Sequence, residues 1–349
     1  MNSMDPTFVS RIILRPTHVA IPRIIGEYKG RQETYMHRSP EALETLRKLA
    51  TIESVESSNR LEGITADRLR IEGMVLRSAR PEGKSEQEIA GYRDALALVH
   101  EHWGTMDLSL DTIRHLHEMI FRYLPETGGS WKDRDNLIIE RYGSGGEHVR
   151  FRPTPADETP EAMNTLLERH DELLRSGHDP LMTIPLAILD LLCIHPFNDG
   201  NGRLARLITL LLLYKAGFVV GRYISLERIF EESKETYYEA LEMSSEGWHS
   251  ARHDVLPWLT YFWGVMIRAY TEFEARVGTV TTGYGSKTEQ IKLAIDRRTG
   301  PFAISDIERE CPGISRDMVR HVLRQMRDEG ALRSTGVGRN AKWIKVQTD

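Results

Sequence analysis

Apolar residues recur at helical spacing along most of the chain from about residue 40 onward. Leu43, Leu46, Leu49 and Ile52 fall three apart, the stripe of an amphipathic helix. Gly63, directly after Glu62, predicts where that stretch stops. Ser85 and Glu88 form an S-x-x-E capping-box pattern, which predicts a helix from 85 through Val99. Further helices are predicted over 111–123, 159–175, 180–194, 203–216, 225–243 and 255–276, with Asp179 capping and Pro180 opening the one at 180–194. The run Leu204–Tyr214 is apolar nearly all round, which predicts a helix buried at a domain centre.

Residues 133–158 break this rhythm. Leu137-Ile138-Ile139 and residues 149–151 flank Tyr142-Gly143-Ser144-Gly145-Gly146, the pattern of a β-hairpin with a glycine-rich tip. A small polar stretch at 279–286 predicts a linker. Beyond it, helices over 287–298, 305–310 and 316–329, a turn at Pro312-Gly313, and strands over 331–334 and 342–346 are predicted. Helices followed by a hairpin are the order of a winged helix-turn-helix. The expected fold class is mainly α: an N-terminal helical region (1–84), a helical core with a hairpin flap (85–278), and a small winged helix-turn-helix domain (286–349).

The composition adds bounds. The chain has 349 residues, 40% hydrophobic and 28% charged, which excludes disordered and collagen-like classes and suggests two or three domains. Residues 286–349 hold 13 Lys and Arg against 9 Asp and Glu, a net of +4; the total of −5 leaves −9 for the rest. That sign change hints at a different partner for the tail, DNA or protein, and argues against nucleic acid wrapping the acidic body. Arg316, Arg320, Arg324 and Arg327 share one helix stripe that could touch phosphates. Two distant cysteines and an N-terminus without a basic-then-apolar leader point to a reducing, cytoplasmic setting with no membrane span.

The chemistry concentrates in His195-Pro196-Phe197-Asn198-Asp199-Gly200-Asn201-Gly202-Arg203-Leu204-Ala205-Arg206. Pro196 disfavours helical geometry at His195, so an apolar helix ends there and a polar turn follows. A glycine-containing turn feeding a helix offers free N–H groups and the positive end of the helix dipole, a site for anions and for phosphate above all. Arg203 and Arg206, three apart, can grip successive phosphates. Asp199 among phosphate-binding groups is best explained by a bridging Mg²⁺. His195 at the preceding helix end is placed to act as a general base. Residues 195–206 hold no Gly-Lys-Ser/Thr and so are not a Walker A loop, and no H-E-x-x-H motif occurs in the chain.

Residues 195–206 resemble the Fic signature H-P-F-x-D/E-G-N-G-R-x-x-R at every fixed position, and the helical pattern over about 85–265 is similar to the Fic core. The resemblance implies AMP transfer from ATP to a Ser, Thr or Tyr hydroxyl of a protein, releasing pyrophosphate. It implies His195 as the base and Asp199 as the Mg²⁺ ligand. The backbone from Gly200, Asn201 and Gly202 through Leu204 and Ala205 would line the nucleotide, with Arg203 on the β-phosphate and Arg206 on the γ-phosphate. Ser58-Asn59-Arg60-Leu61-Glu62-Gly63 looks like the family's inhibitory motif S/T-x-x-x-E-G/N, so Ser58, Glu62 and Gly63 would block the γ-phosphate anchor by pairing Glu62 with Arg206. Leu137, Ile138 and Ile139 would line the target-docking edge. Tyr237-Tyr238 matches a nucleotide-contacting pair, whereas Lys132 and Ser245 depart from the usual Arg and Asn.

The expectation is an autoinhibited protein adenylyltransferase using ATP and Mg²⁺, with a hydroxyl-bearing protein or its own chain as target. Two alternatives stay open: a de-AMPylating enzyme in which Glu62 positions water, and a DNA-binding regulator with a nucleotide-sensing core. Self-association as a homodimer is also open.

Overall fold

The computed structural model describes residues 3–38, 40–141, 147–284, 288, 291–292, 294–295, 298, 300–311, 314–335 and 342–346. Contacts divide the chain into two units, Met1–Phe273 and Glu274–Asp349, with the boundary inside a long helix.

The first unit is mainly helical. Its elements are α1 (Pro6–Val9), α2 (Pro16–Arg38), α3 (Pro40–Leu61), α4 (Arg68–Arg77), α5 (Gly83–His102), α6 (Leu110–Phe121), β1 (Ile138–Arg141), β2 (Glu147–Phe151), α7 (Thr159–Arg175), α8 (Pro180–Ile194), α9 (Asn201–Lys215), α10 (Leu226–Glu232), α11 (Lys234–Ser245) and α12 (Leu256–Tyr284). Helix α9 is the centre, packed by α3, α5, α6 and α8. From Leu204 to Tyr214 every residue of it is buried, as its all-round apolar pattern requires. Helix α8 starts where its cap predicts, with Asp179 Oδ1 accepting from the Leu181 N–H at 2.8 Å. Its Asp190 is fully buried and accepts from the Ser3 and Met4 amides (3.2 and 3.1 Å) and from Trp248 Nε1 (2.6 Å), which ties the N-terminal segment to the core.

Several local expectations change. Ser85 caps nothing: α5 begins at Gly83, after Glu82, and Glu88 is instead drawn into a buried ion pair. The single helix expected over 225–243 is two, α10 and α11, because the Ser233 hydroxyl donates back to the Ile229 carbonyl at 2.7 Å where the chain bends. The expected linker at 279–286 is helical through Tyr284, since each residue added to a formed helix gains a hydrogen bond without a new nucleus. Helices α2 and α4 have no strong apolar stripe and were not expected. Helix α2 forms because Tyr28 and Tyr35 pack on Tyr270 and Phe273 of α12, ring centroids 5.7 and 5.9 Å apart.

The hairpin pairs Ile139 with Val149 and Ile138 with Phe151, leaving Arg150 as the extra residue of a bulge. The glycine-rich tip at 142–146 lies outside the described residues.

The second unit has its own core, in which Phe302, Ile307, Leu323 and Trp343 are buried together. It contains helical residues at 288, 291–292 and 294–295, then α13 (Ile304–Glu310), α14 (Arg316–Asp328) and the antiparallel pair β3 (Leu332–Thr335) and β4 (Lys342–Lys345). The expected turn at 312–313 lies outside the described residues. No helix among the described residues is long and apolar enough to cross a membrane.

Candidate active site

Helix α8 ends in a sharp turn made by His195, which caps it in the left-handed region (φ 52°, ψ 61°) before Pro196. The His195 Nδ1 lies 3.3 Å from the Leu192 carbonyl, which can only accept. Nδ1 therefore carries the ring proton and Nε2 the lone pair. Burial pushes His195 down to about 4, so the ring is neutral at pH 7.

The turn that follows is held by its own side chains. Asn201 Oδ1 accepts from the Phe197 N–H (3.0 Å) and Asn201 Nδ2 donates to the Phe197 carbonyl (2.7 Å), so this side chain clamps the loop and is itself buried. Gly200 sits at φ 78°, and a Cβ there would press within 2.8 Å of the Phe121 ring. Asp199 is the exposed carboxylate of the turn, 75% accessible, with Oδ2 3.8 Å from Arg203 Nη2. Leu204 and Ala205 turn their side chains into the core; only Gly202 and Arg206 of this part of α9 line the adjoining cleft.

The two arginines part company. Arg203 is 1% exposed and donates to Glu88 of α5 at 3.0 Å, with its guanidinium 5.5 Å from the Phe121 ring centre. It braces α9 against α5 and α6 and does not face the cleft. Arg206 faces α3. Its Nε donates to Ser58 Oγ, and its Nη2 to the Ser58 carbonyl and to Glu62 Oε1, each at 2.8 Å. Burial works against the Arg206 charge, but the Glu62 carboxylate more than restores it and raises its pKa. Glu62 follows the last residue of α3, and Gly63 at φ 78° ends the helix. A Cβ on Gly202 would overlap the Glu62 carboxylate, so that carboxylate rests on the first turn of α9, where an anion is stabilised.

Glu62, His195, Gly202 and Arg206 open on one cavity of about 610 Å³, lined also by Tyr238 and the flap residues Ile138 and Ile139, whereas Asp199 lines a separate cleft with Glu88 and His117. Leu137 stands just outside it, 43% exposed. Tyr237 is buried, packed beside Phe230 and Trp258, and lines the cavity together with half-buried Tyr238.

Four residues that sequence reasoning did not place at the site belong to it. Arg150, turned by the bulge, donates to the Tyr238 carbonyl and to Glu242 Oε2 (3.0 Å), joining the flap to α11. Lys234 lies 5.9 Å from the Tyr238 ring centre. Lys132 donates to the Ile194 carbonyl (3.0 Å) and Asn136 Oδ1 (3.1 Å) beside His195, and burial lowers it to about 8. His117 stacks on Phe197 with ring centres 3.6 Å apart. Its Nδ1 accepts from the Gly129 N–H and its Nε2 donates to the Asp199 carbonyl, both at 2.9 Å. Only the departure at Lys132 left a trace in the sequence. His117 and Arg150 act across 12 and 92 residues of chain, beyond any local pattern, whereas Lys234 meets Tyr238 one helical turn away. Among the described residues no group of three or more His, Cys, Asp or Glu could hold a metal by itself.

Comparison with known proteins agrees with this geometry. Residues 107–213 match the Fic/DOC family model. A protein adenylyltransferase Fic of Drosophila yakuba is 28% identical over 223 residues, 61% of this chain and 41% of that protein. One from Nematostella vectensis is 26% identical over the same length, with 46% of its own chain covered. The chain thus spans under half the length of these curated relatives. Among solved structures, a Fic family protein from Desulfovibrio desulfuricans aligns over 97% of this chain and 98% of its own, with a TM-score of 0.61 at 21% identity. Fic-1 from C. elegans aligns over 76% of this chain and 74% of its own, with a TM-score of 0.58 at 19% identity. Over residues 107–213 the chain matches the Fic/DOC family, and its fold is that of solved Fic family proteins.

Proposed function

We propose that the chain is a protein adenylyltransferase that moves AMP from ATP to a protein hydroxyl and is restrained by Glu62. The observation that carries this reading is the meeting, in one cavity, of a neutral His195, the first turn of α9 and Arg206. In the reaction the target hydroxyl passes its proton to His195 Nε2 and its oxygen attacks the α-phosphorus. The bond to the β-phosphate bridge breaks and pyrophosphate leaves. Positioning and charge stabilisation carry most of the rate. The exposed Asp199 fits a Mg²⁺ that arrives with the nucleotide, because such an ion takes one or two protein carboxylates and fills its shell with phosphate and water. That ion would neutralise phosphate charge.

Glu62 supports the inhibitory part. Its carboxylate takes the Arg206 Nη2 and covers Gly202, the two places a terminal phosphate would need. Arg203, committed to Glu88, stabilises the turn rather than gripping phosphate directly. The Tyr238 side of the cavity is the place for the nucleoside, and the Ile138–Ile139 edge is the place for the target's extended backbone.

Glu62→Gly should raise transfer of labelled AMP to the chain itself or to proteins of a lysate, and His195→Ala should abolish it. No incorporation by Glu62→Gly above the His195→Ala background would refute the proposal. Glu62 lines the same cavity as His195, so removal of AMP from a modified protein is the second reading; loss of that removal on changing Glu62 would select it. A DNA role for the tail is less favoured, since Arg316, Arg320 and Arg327 of α14 are each paired with Glu308, Asp317 or Asp328.

A further inference from the structure

Glu227, near the start of α10, is wholly buried, and among the described residues no Lys or Arg forms an ion pair with it. A buried carboxylate persists only where donors satisfy it. Here the donors are hydroxyls from three elements. Ser54 of α3 donates to Oε2 at 2.8 Å, Ser225 at the α10 cap reaches the same oxygen at 3.3 Å, and Tyr92 of α5 donates to Oε1 at 3.0 Å. Ser225 accepts at the same time from the Arg228 N–H (3.0 Å), so its orientation is fixed by the cap.

The spacing on α3 gives this cluster a direction. Ser54, Ser58 and Glu62 are four apart, so they follow one another down the same side of the chain. Ser54 meets Glu227, Ser58 receives the Arg206 Nε, and Glu62 receives the Arg206 Nη2. The Tyr92 phenol joins the two ends, since it bonds Glu227 and lies within reach of the Ser58 hydroxyl and the field of Arg206. The run from Glu227 through Tyr92 to Ser58, Arg206 and Glu62 is continuous and buried until its last member.

We propose that Glu227 is a positioning residue for the restraint. It fixes the register of α3 against α5 and α10, and so holds Glu62 over Gly202 and Arg206. The inference rests on the reading of Glu62 as inhibitory. A second contact set joins α3 to α10 beside it, the mostly buried Glu53–Arg228 pair and the more exposed Arg60–Glu231 pair. Because Arg206 is also held by the Ser58 carbonyl, it keeps an anchor when Glu62 is absent.

The test compares the full chain, Glu62→Gly, Glu227→Gln and the double variant, by labelled AMP incorporation, by nucleotide KM, and by hydrogen exchange of the amides in 54–63. Glu227→Gln alone should raise incorporation roughly fivefold or more, the size of a typical coupling between sites. Added to Glu62→Gly it should change neither incorporation nor KM by more than about twofold. Amides of 54–63 should exchange faster in Glu227→Gln whether or not AMP is transferred. If Glu62→Gly transfers no AMP, the functional reading fails, and the exchange measurement still decides the positioning role. Unchanged exchange in 54–63 overturns the proposal. So does a raised nucleotide KM in the double variant, which would mean that Glu227 serves Arg206 rather than α3. Should Glu227→Gln fail to fold, Ser54→Ala removes only the α3 end of the cluster and should give the same faster exchange.

Discussion

A histidine serves as a base only when it is neutral and has a free lone pair in the right direction. In His195 the Leu192 carbonyl fixes the proton on Nδ1, and burial suppresses the charged form. This has a consequence for pH. With its pKa lowered to about 4 by burial, His195 gains a proton only as the pH falls through that value. The transfer rate of the Glu62→Gly protein should therefore be flat from about pH 7.5 to 5.5 as far as this group is concerned. A half-loss of rate near 6.5 would show an ordinary, solvated imidazole instead. Lys132 beside His195 is also shifted by its surroundings. It donates to the carbonyl just before His195, and its buried amine is lowered to about 8. The residue types of the motif were legible in the sequence, because the turn is local. Their partners were not: Arg206 meets Glu62 across 144 residues.

At the scale of elements, α9 depends on how its polar side chains leave the core. Arg203 is 1% exposed and is matched by Glu88 of α5, 115 residues away. Replacing Glu88 by Ala strands a buried guanidinium, a change that costs about 3–5 kcal/mol and on the order of 10 °C of melting temperature. Thermal unfolding followed by circular dichroism checks this. A fall within about 2 °C, the size of a surface change, would mean that water reaches Arg203. The S-x-x-E pattern at Ser85 predicted a cap, and the structure spends Glu88 on this pair. A capping box and a core ion pair use the same residue types, and only the packing of α5 on α9 distinguishes them. The same holds for α10 and α11. Their combined periodicity reads as one helix, and the break comes from a hydroxyl that bonds back to the main chain at Ser233.

The whole first unit carries several buried neutral histidines. Burial lowers His100 to about 3 and His117, His170 and His253 each to about 4. In the unfolded chain all four bind protons near 6.5. Between those values the unfolded state holds more protons, so stability rises with pH across that window and is lost as pH falls through it. The melting temperature should be level above about pH 7 and drop steadily from about 6.5 towards 4. His117→Gln should flatten part of that slope, since Gln does not titrate. An unchanged slope would show that His117 takes no part. The tail can be read at this scale too. Its net charge is positive, yet the arginines of α14 that have resolved partners are paired with carboxylates of their own unit.

The amino-acid sequence by itself determined the elements with strong local codes. Helices α7 and α8 match their expected bounds, the latter through its Asp179 cap and Pro180, and α9 was marked as buried by its all-round apolar run. It also determined the His195–Arg206 turn, whose glycines, proline and Asn201 act on neighbours within a few residues. Tertiary structure alone decided that Arg203 would brace the fold while Arg206 faces the cleft, that Glu62 would lie on Gly202, and that Glu227 would gather Ser54, Tyr92 and Ser225. The reason is physical. Turns, caps and amphipathic stripes follow from backbone geometry over one or two helical turns. A buried charge is tolerated only where distant groups converge on it, and no spacing along the chain records which groups those are.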